Sequence, residues 1–228
     1  MSDRGLILAA ALLLAPIAAA QSPSSSSKAG KPVKRETADS ILDDGAVING
    51  VYHNKSLALT CKIPEAWVLR TDEMNAREDE REEESKEKEK NPEDAQQPAS
   101  SAGAKVLLAA FSRPPDAKGE DINSSILIAA ENASAYPGLK EAAQYFGPLT
   151  EVAQARGFTQ DEDPYEIALG AKTLVRVDFH KDVGSRVMHQ STLAMLSHGY
   201  AISITLIAGT EDEVEELIDG LTFTAPAK

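Results

Sequence analysis

The stretch VYHNKSLALTCKIPEAWVL, residues 51–69, decides the fold. Leu57, Leu59, Cys61 and Ile63 share one strand face, with Ala58, Thr60 and Lys62 on the other. Val51 to Asn54 reads as a preceding strand. Pro64 has no amide proton to give to a sheet ladder, so it ends the second strand. Trp67, the only tryptophan, restarts the apolar pattern with Val68 and Leu69.

Downstream, residues 71–104 (TDEMNAREDEREEESKEKEKNPEDAQQPASSAGA) break the pattern. Glu73 to Asp94 holds eleven acidic and five basic residues. Such a tract buries too little apolar surface to offset its ordering entropy. It is expected to be a disordered or frayed-helical insertion, aided by pairs such as Glu82–Lys86 and Glu84–Lys88. Order resumes with two strands, KVLLAAFS (105–112) and INSSILIAA (122–130). Residues 138–157 switch to helical period, with Leu139, Ala142, Ala143, Phe146, Leu149 and Ala153 on one side and Gly157 as the stop. Pro148 predicts a kink, or two short helices.

The C-terminal third reads as antiparallel strands: PYEIAL, a turn at Gly170, KTLVRVDFHK, a turn at Asp182-Val183-Gly184-Ser185, RVMHQSTLAML, a turn at Ser197-His198-Gly199, and YAISITLIA. Thr210 with Glu213 is a capping-box signature. Val214, Leu217 and Ile218 form the apolar stripe of the helix it opens, Gly220 stops it, and LTF returns to the sheet. The expected fold class is therefore α+β, an antiparallel sheet flanked by helices.

Upstream, residues 1–20 read as a signal peptide: Arg4, then the apolar run GLILAAALLLAPIAAA, then Ala18-Ala19-Ala20 before Gln21. No Cys lies near that point, so a lipid anchor is not expected, and the chain is expected to be periplasmic or secreted without a stable membrane anchor after cleavage. Residues 21–45, rich in Ser, Pro and Lys, read as a flexible tether. Residues 46–228 read as a single domain carrying the insertion at 71–104. The 228 residues have a net charge of −13, which argues against nucleic acid as a partner and favours cationic ones. A lone cysteine cannot form an internal disulfide, and Cys61 reads as a small buried apolar residue rather than a nucleophile.

Tyr52-x-Asn54, an alternating strand and Ile63-Pro64-x-x-Trp67 resemble the opening of PsbP-like domains. The order of later elements is similar over roughly residues 47–224. The resemblance implies an antiparallel sheet flanked by helices. It also implies protein binding and assembly rather than established catalysis, with no family-wide active-site motif to carry onto these positions.

The residues that could carry chemistry are few. With Val183-Gly184 as a two-residue turn, Val187 pairs with His180 and His189 with Asp178. The carboxylate and the imidazole then face each other, with His180 alongside. His198 lies in the next turn. The acids of QDEDPYE (Asp161, Glu162, Asp163, Glu166) lack calcium-loop spacing and read as a solvated turn. Trp67 reads as a core plug, with ligand stacking as the alternative. No nucleophile elbow, phosphate loop or zinc motif is present in the sequence. The expectation is a non-enzymatic protein-binding or assembly module, with no catalytic, cofactor or metal residues. The alternatives are a metal-dependent or acid–base enzyme using Asp178, His180 and His189, and a small-ligand binder near Trp67.

Overall fold

A computed structural model describes residues 42–89, 104–114, 117 and 122–225. The signal-peptide reading of residues 1–20, the tether up to residue 41 and residues 90–103 of the charged tract lie outside these.

Alternating apolar residues build two antiparallel sheets. The smaller comprises β1 (Ala46–Ile48), β2 (Val51–Asn54), β3 (Leu59–Lys62) and β12 (Leu221–Phe223), in that order. The larger contains β4 (Val68–Leu69), β5 (Lys105–Phe111), β6 (Ser125–Asn132), β7 (Thr159–Gln160), β8 (Tyr165–Leu169), β9 (Lys172–Val183), β10 (Arg186–Ser197) and β11 (Tyr200–Ala208). Its order is β4-β5-β6-β11-β10-β9-β7, with β8 sharing the outer edge of β9. Three α-helices among the described residues, α1 (Thr71–Glu89), α2 (Ala142–Ala155) and α3 (Glu211–Asp219), complete an α+β fold.

The large sheet is buried on both faces. One face sets Ile128, Leu193, Ile202 and Ile204 against Leu59, Cys61 and Phe223 of the small sheet, Leu57 of the turn before β3, and Val214 and Leu217 of α3. On the other, Phe146, Leu149 and Ala153 of α2 cover Val177, Phe179 and Ala194, and Met74 of α1 covers Val106, Ala109 and Leu127. A register shift between Val106 and Leu108 turns both Leu107 and Leu108 toward the first core.

Four sequence expectations change. First, of the two forms expected for the charged tract, the helical one holds over Thr71–Glu89, but its start is docked rather than frayed. Its first two turns are docked: Met74 is only 4% exposed, and Arg70 bonds Glu73 with Arg77 on the same carboxylate. The two-residue β4 leaves most of the β5 edge uncovered, and α1 caps that edge with side chains. Thr71 Oγ1 accepts from the Ala109 N–H at 3.0 Å. The Asn75 amide both donates to and accepts from the Val106 backbone, each at 2.9 Å. Buried backbone groups need such partners.

Second, order begins before residue 46. Leu42 is 4% exposed in the main core, and Asp43 binds the Ser56 N–H at 2.7 Å and the Gly45 N–H at 2.8 Å. Residues 42–45 thus belong to the domain rather than the tether. Third, β1 extends the small sheet through a two-residue Asn49-Gly50 turn with φ +51° and +76°, the backbone for which Asn-Gly is the strongest local signal. Fourth, α2 runs unbroken through Pro148, and its buried side is Tyr145, Phe146, Leu149 and Ala153, with Ala143 left exposed.

Among the described glycines, Gly170 sits tightest against backbone. It turns β8 into β9 at φ +60°, and a Cβ there would lie 2.3 Å from the Phe223 carbonyl oxygen. The left-handed conformation alone costs an L-residue about 1–2 kcal/mol, and backbone would have to move as well. Gly170→Ala is expected to lose roughly 2 kcal/mol or more of stability, read as a lowered urea midpoint with an unchanged slope.

Candidate functional site

The histidine cluster lies on the α3 side of the large sheet. The β9–β10 turn is Gly184-Ser185, not Val183-Gly184, because Val183 pairs with Arg186. This moves the register by two. His189 faces His180, while Asp178 faces Ser191. The expected Asp178–His189 juxtaposition is therefore absent. Asp178 is instead held by the Tyr165 hydroxyl at 2.7 Å and by Arg176 Nε at 2.9 Å, and Arg176 also reaches Glu215 of α3. Each histidine takes its own acid: His180 Nδ1 meets Asp161, and His189 Nδ1 lies 3.7 Å from Glu211. His198 sits in the β10–β11 turn, with Nε2 2.9 Å from the Ser56 carbonyl oxygen. Among the described residues no three His, Cys, Asp or Glu side chains are grouped to hold a metal. All four acids of the 161–166 stretch, Asp161, Glu162, Asp163 and Glu166, are exposed, and of these Asp161 pairs with His180.

Cys61 is fully buried, and burial pushes its thiol up to about 12. A thiol so protonated is not a nucleophile at neutral pH. A disulfide reagent is expected to leave the folded chain unmodified and to titrate one thiol once it is unfolded. Rapid native labelling would contradict this packing.

One ionisable cluster was not visible in the sequence. Glu131, at the end of β6, is 3% exposed. It accepts hydrogen bonds from the Tyr136 hydroxyl and, at 2.9 Å, from the Tyr145 hydroxyl of α2. The two rings meet edge to face with centroids 5.4 Å apart. Burial raises the Glu131 pKa, the tyrosine hydrogen bonds oppose that, and Glu78 of α1 adds to the rise. A carboxyl whose folded pKa is raised contributes stability that is complete below its unfolded value of about 4.3 and is lost as pH climbs through the folded value. Glu131→Gln keeps the shape and removes that loss. The variant is expected to melt above the parent at neutral pH and to converge with it below about pH 4. A constant difference across that range would show that Glu131 does not titrate in this window.

The third feature is a groove of about 670 Å³ where the small sheet, the start of β6 and α3 meet. Its apolar lining includes Pro64, Trp67, Ala208 and Leu217. Trp67 is half-buried and packs on the main core, so it is a core plug and a groove wall at once. Ala66, at φ +67°, turns the chain between Pro64 and Trp67. The other wall is α3. Burying Val214, Leu217 and Ile218 leaves Glu213 and Glu216 exposed along the groove. Thr210 Oγ1 accepts from the Glu213 N–H at 3.2 Å, and Glu213 Oε2 accepts from the Gly209 N–H at 3.0 Å, which fixes the first turn. Gly220, beyond the last turn, presents its carbonyl oxygen to the Lys62 N–H at 2.9 Å. Glu65, Glu213 and Glu216 thus stand against a single ammonium, Lys62.

No protein-family model matches the chain, and no curated protein matches it. Solved structures are similar to it, among them two of low identity. One is a Pseudomonas aeruginosa protein of unknown function described as a putative regulator, 18% identical over 44% of this chain and 68% of that one, with a TM-score of 0.32. The other is LpqN of Mycobacterium tuberculosis, involved in cell envelope biogenesis, 16% identical over 73% of this chain and 83% of that one, with a TM-score of 0.37.

Proposed function

We propose that this chain is an exported, non-enzymatic binding module of PsbP-like type that holds a cationic segment of another protein in the Trp67 groove. One observation carries the reading: the only tryptophan lines a groove whose charged side chains are three carboxylates and one ammonium. An ammonium or guanidinium set over an indole face gains about 0.5–1 kcal/mol at an exposed site. Carboxylates on the rim add charge complementarity that steers encounter. Lysine and arginine stems also cover apolar surface while their heads stay in water. A basic peptide satisfies all three conditions, and an anionic or purely apolar ligand satisfies none or one.

Export belongs to this proposal through the residue 1–20 signal reading, with the periplasm or the exterior as the destination. Among the described residues no helix is long and apolar enough to cross a membrane. The non-enzymatic part of the proposal is supported by the separation of Asp178 from His189, which dissolves the one acid–base pair that the sequence suggested.

The test is a fluorescence titration of Trp67, which needs no label. Decalysine is expected to shift its emission saturably, with affinity falling as salt rises, and decaglutamate to leave it unmoved. Glu65→Gln combined with Glu216→Gln is expected to weaken decalysine binding about three- to tenfold, since exposed charge pairs contribute about 0.2–1 kcal/mol each. Glu213 is spared because it holds the Gly209 N–H. Equal responses to the two peptides would defeat the proposal.

A further inference from the structure

We propose that two copies of this chain join by antiparallel pairing of their β8 edges, in a register that sets Ile167 opposite the partner's Ile167. The proposal is independent of the groove reading, since no residue of β8 lines the groove. It starts from how the sheet edges are finished. Among the described residues, β1, β4, β7, β8 and β12 each pair on one side only, and β8, with five residues, is the longest of them. The opposite edge of the large sheet is closed by β4 and by the Thr71 and Asn75 side chains on β5. On the β9 side the protection stops halfway. Residues 161–164 bulge between Gln160, opposite Phe179, and Tyr165, opposite Arg176. That bulge carries three acids and Pro164, the devices that keep a strand edge from pairing. Beyond it, Tyr165–Leu169 is regular.

The hairpin fixes which groups are open. Leu169 and Lys172 flank the two-residue turn at Gly170, so Leu169, Ile167 and Tyr165 exchange backbone bonds with β9. Glu166 and Ala168 therefore turn their N–H and C=O groups outward, and both residues are exposed. A second copy complements that edge. With Ile167 opposite the partner's Ile167, Glu166 falls opposite the partner's Ala168, and each such pair exchanges both backbone bonds. No two carboxylates oppose one another. On the α3 side of the sheet, Tyr165 meets the partner's Leu169, and the half-buried Ile167 residues meet each other. The line of each strand then continues through Asp163 and Glu162 past the partner's Gly170 turn, where Lys172 stands. Lys172 has no carboxylate partner among the described residues. An acidic chain thus meets itself with opposite charges at both ends of the seam.

The test is the mass of the full chain in solution, measured by sedimentation over a micromolar-to-millimolar series. The parent is expected to pass from one chain to two. Ala168→Pro removes an N–H that β9 does not use, a position where an edge strand tolerates proline. This variant is expected to stay monomeric with unchanged far-ultraviolet dichroism. Ala168→Lys and Glu166→Gln change the net charge equally, but only the lysine lands opposite the partner's Glu166. The lysine variant is expected to dimerise about three- to tenfold more tightly than the glutamine variant. A parent that stays monomeric throughout would leave β8 to an extended segment of a different protein and overturn the proposal. A dimer that survives Ala168→Pro would place the interface elsewhere and overturn it too. Equal dimerisation of the lysine and glutamine variants would overturn the symmetric register.

Discussion

The fold is closed by a tie between two backbones, at the Gly170 turn and Phe223. The Phe223 carbonyl accepts the Ala171 N–H at 2.9 Å, in the turn that joins β8 to β9. Only a residue without a side chain lets the turn approach that far. One residue later, the Thr224 N–H donates to Ala58 at the opposite side of the same strand end. The C-terminal strand thereby belongs to the small sheet by its ladder with β3 and touches the outer edge of the large sheet by its carbonyl. Much else follows from that tie. With β11 and β12 both fixed, α3 has one way to bury Val214, Leu217 and Ile218. The opposite side of the helix, including Glu213 and Glu216, must then face outward beside Trp67. The groove is a consequence of closing the fold rather than a separate feature added to it.

Local pattern carried much of the fold in the sequence. Alternation located β2, β9, β10 and β11 to within a few residues, and the Thr210–Glu213 box located α3, because each signal sits within the element it describes. What escaped was decided elsewhere. Composition made residues 71–89 look too charged to order, and their summed charge is indeed unfavourable to a core. Their first two turns are ordered by Met74, Thr71 and Asn75 docking on β5, a strand more than thirty residues away from Thr71. The two-residue β7 has too little length to show a period, and it exists because β9 offers an open edge. The β9–β10 register turned on which two residues form the bend. Gly184 at φ +63° takes the first position of the turn rather than the second, and every facing pair moves with it.

The candidate sites divide along the same line. Asp178, His180 and His189 were readable because they lie on one hairpin, and they were misaligned because register within a hairpin is a turn property. Glu131 was not readable at all. Its partners come from the turn after β6 and from α2, and nothing in the alternation of β6 marks residue 131 as buried with two hydroxyls waiting for it. Trp67 was readable as an aromatic at a corner. Its companions were not, because the groove collects Lys62, Pro64 and Glu65 beside Trp67, Ser112 and Ser124, and residues of α3 with Ala208 and Gly220, which the sheet order brings together.

The electrostatics of the groove also limit how it can work. Glu65, Glu213 and Glu216 are exposed, so each attraction is screened by water and by salt with a Debye length near 8 Å. Charges of that kind raise encounter rates and select the sign of the partner more than they hold it. Retention must come from the fraction of the site that excludes water, the Trp67 and Leu217 surface and the Pro64 corner beside it. Such a site suits a partner that arrives fast, leaves fast and is judged by how many cations it can place at once. A single lysine gains little over water, whereas a run of them is bound by multivalency.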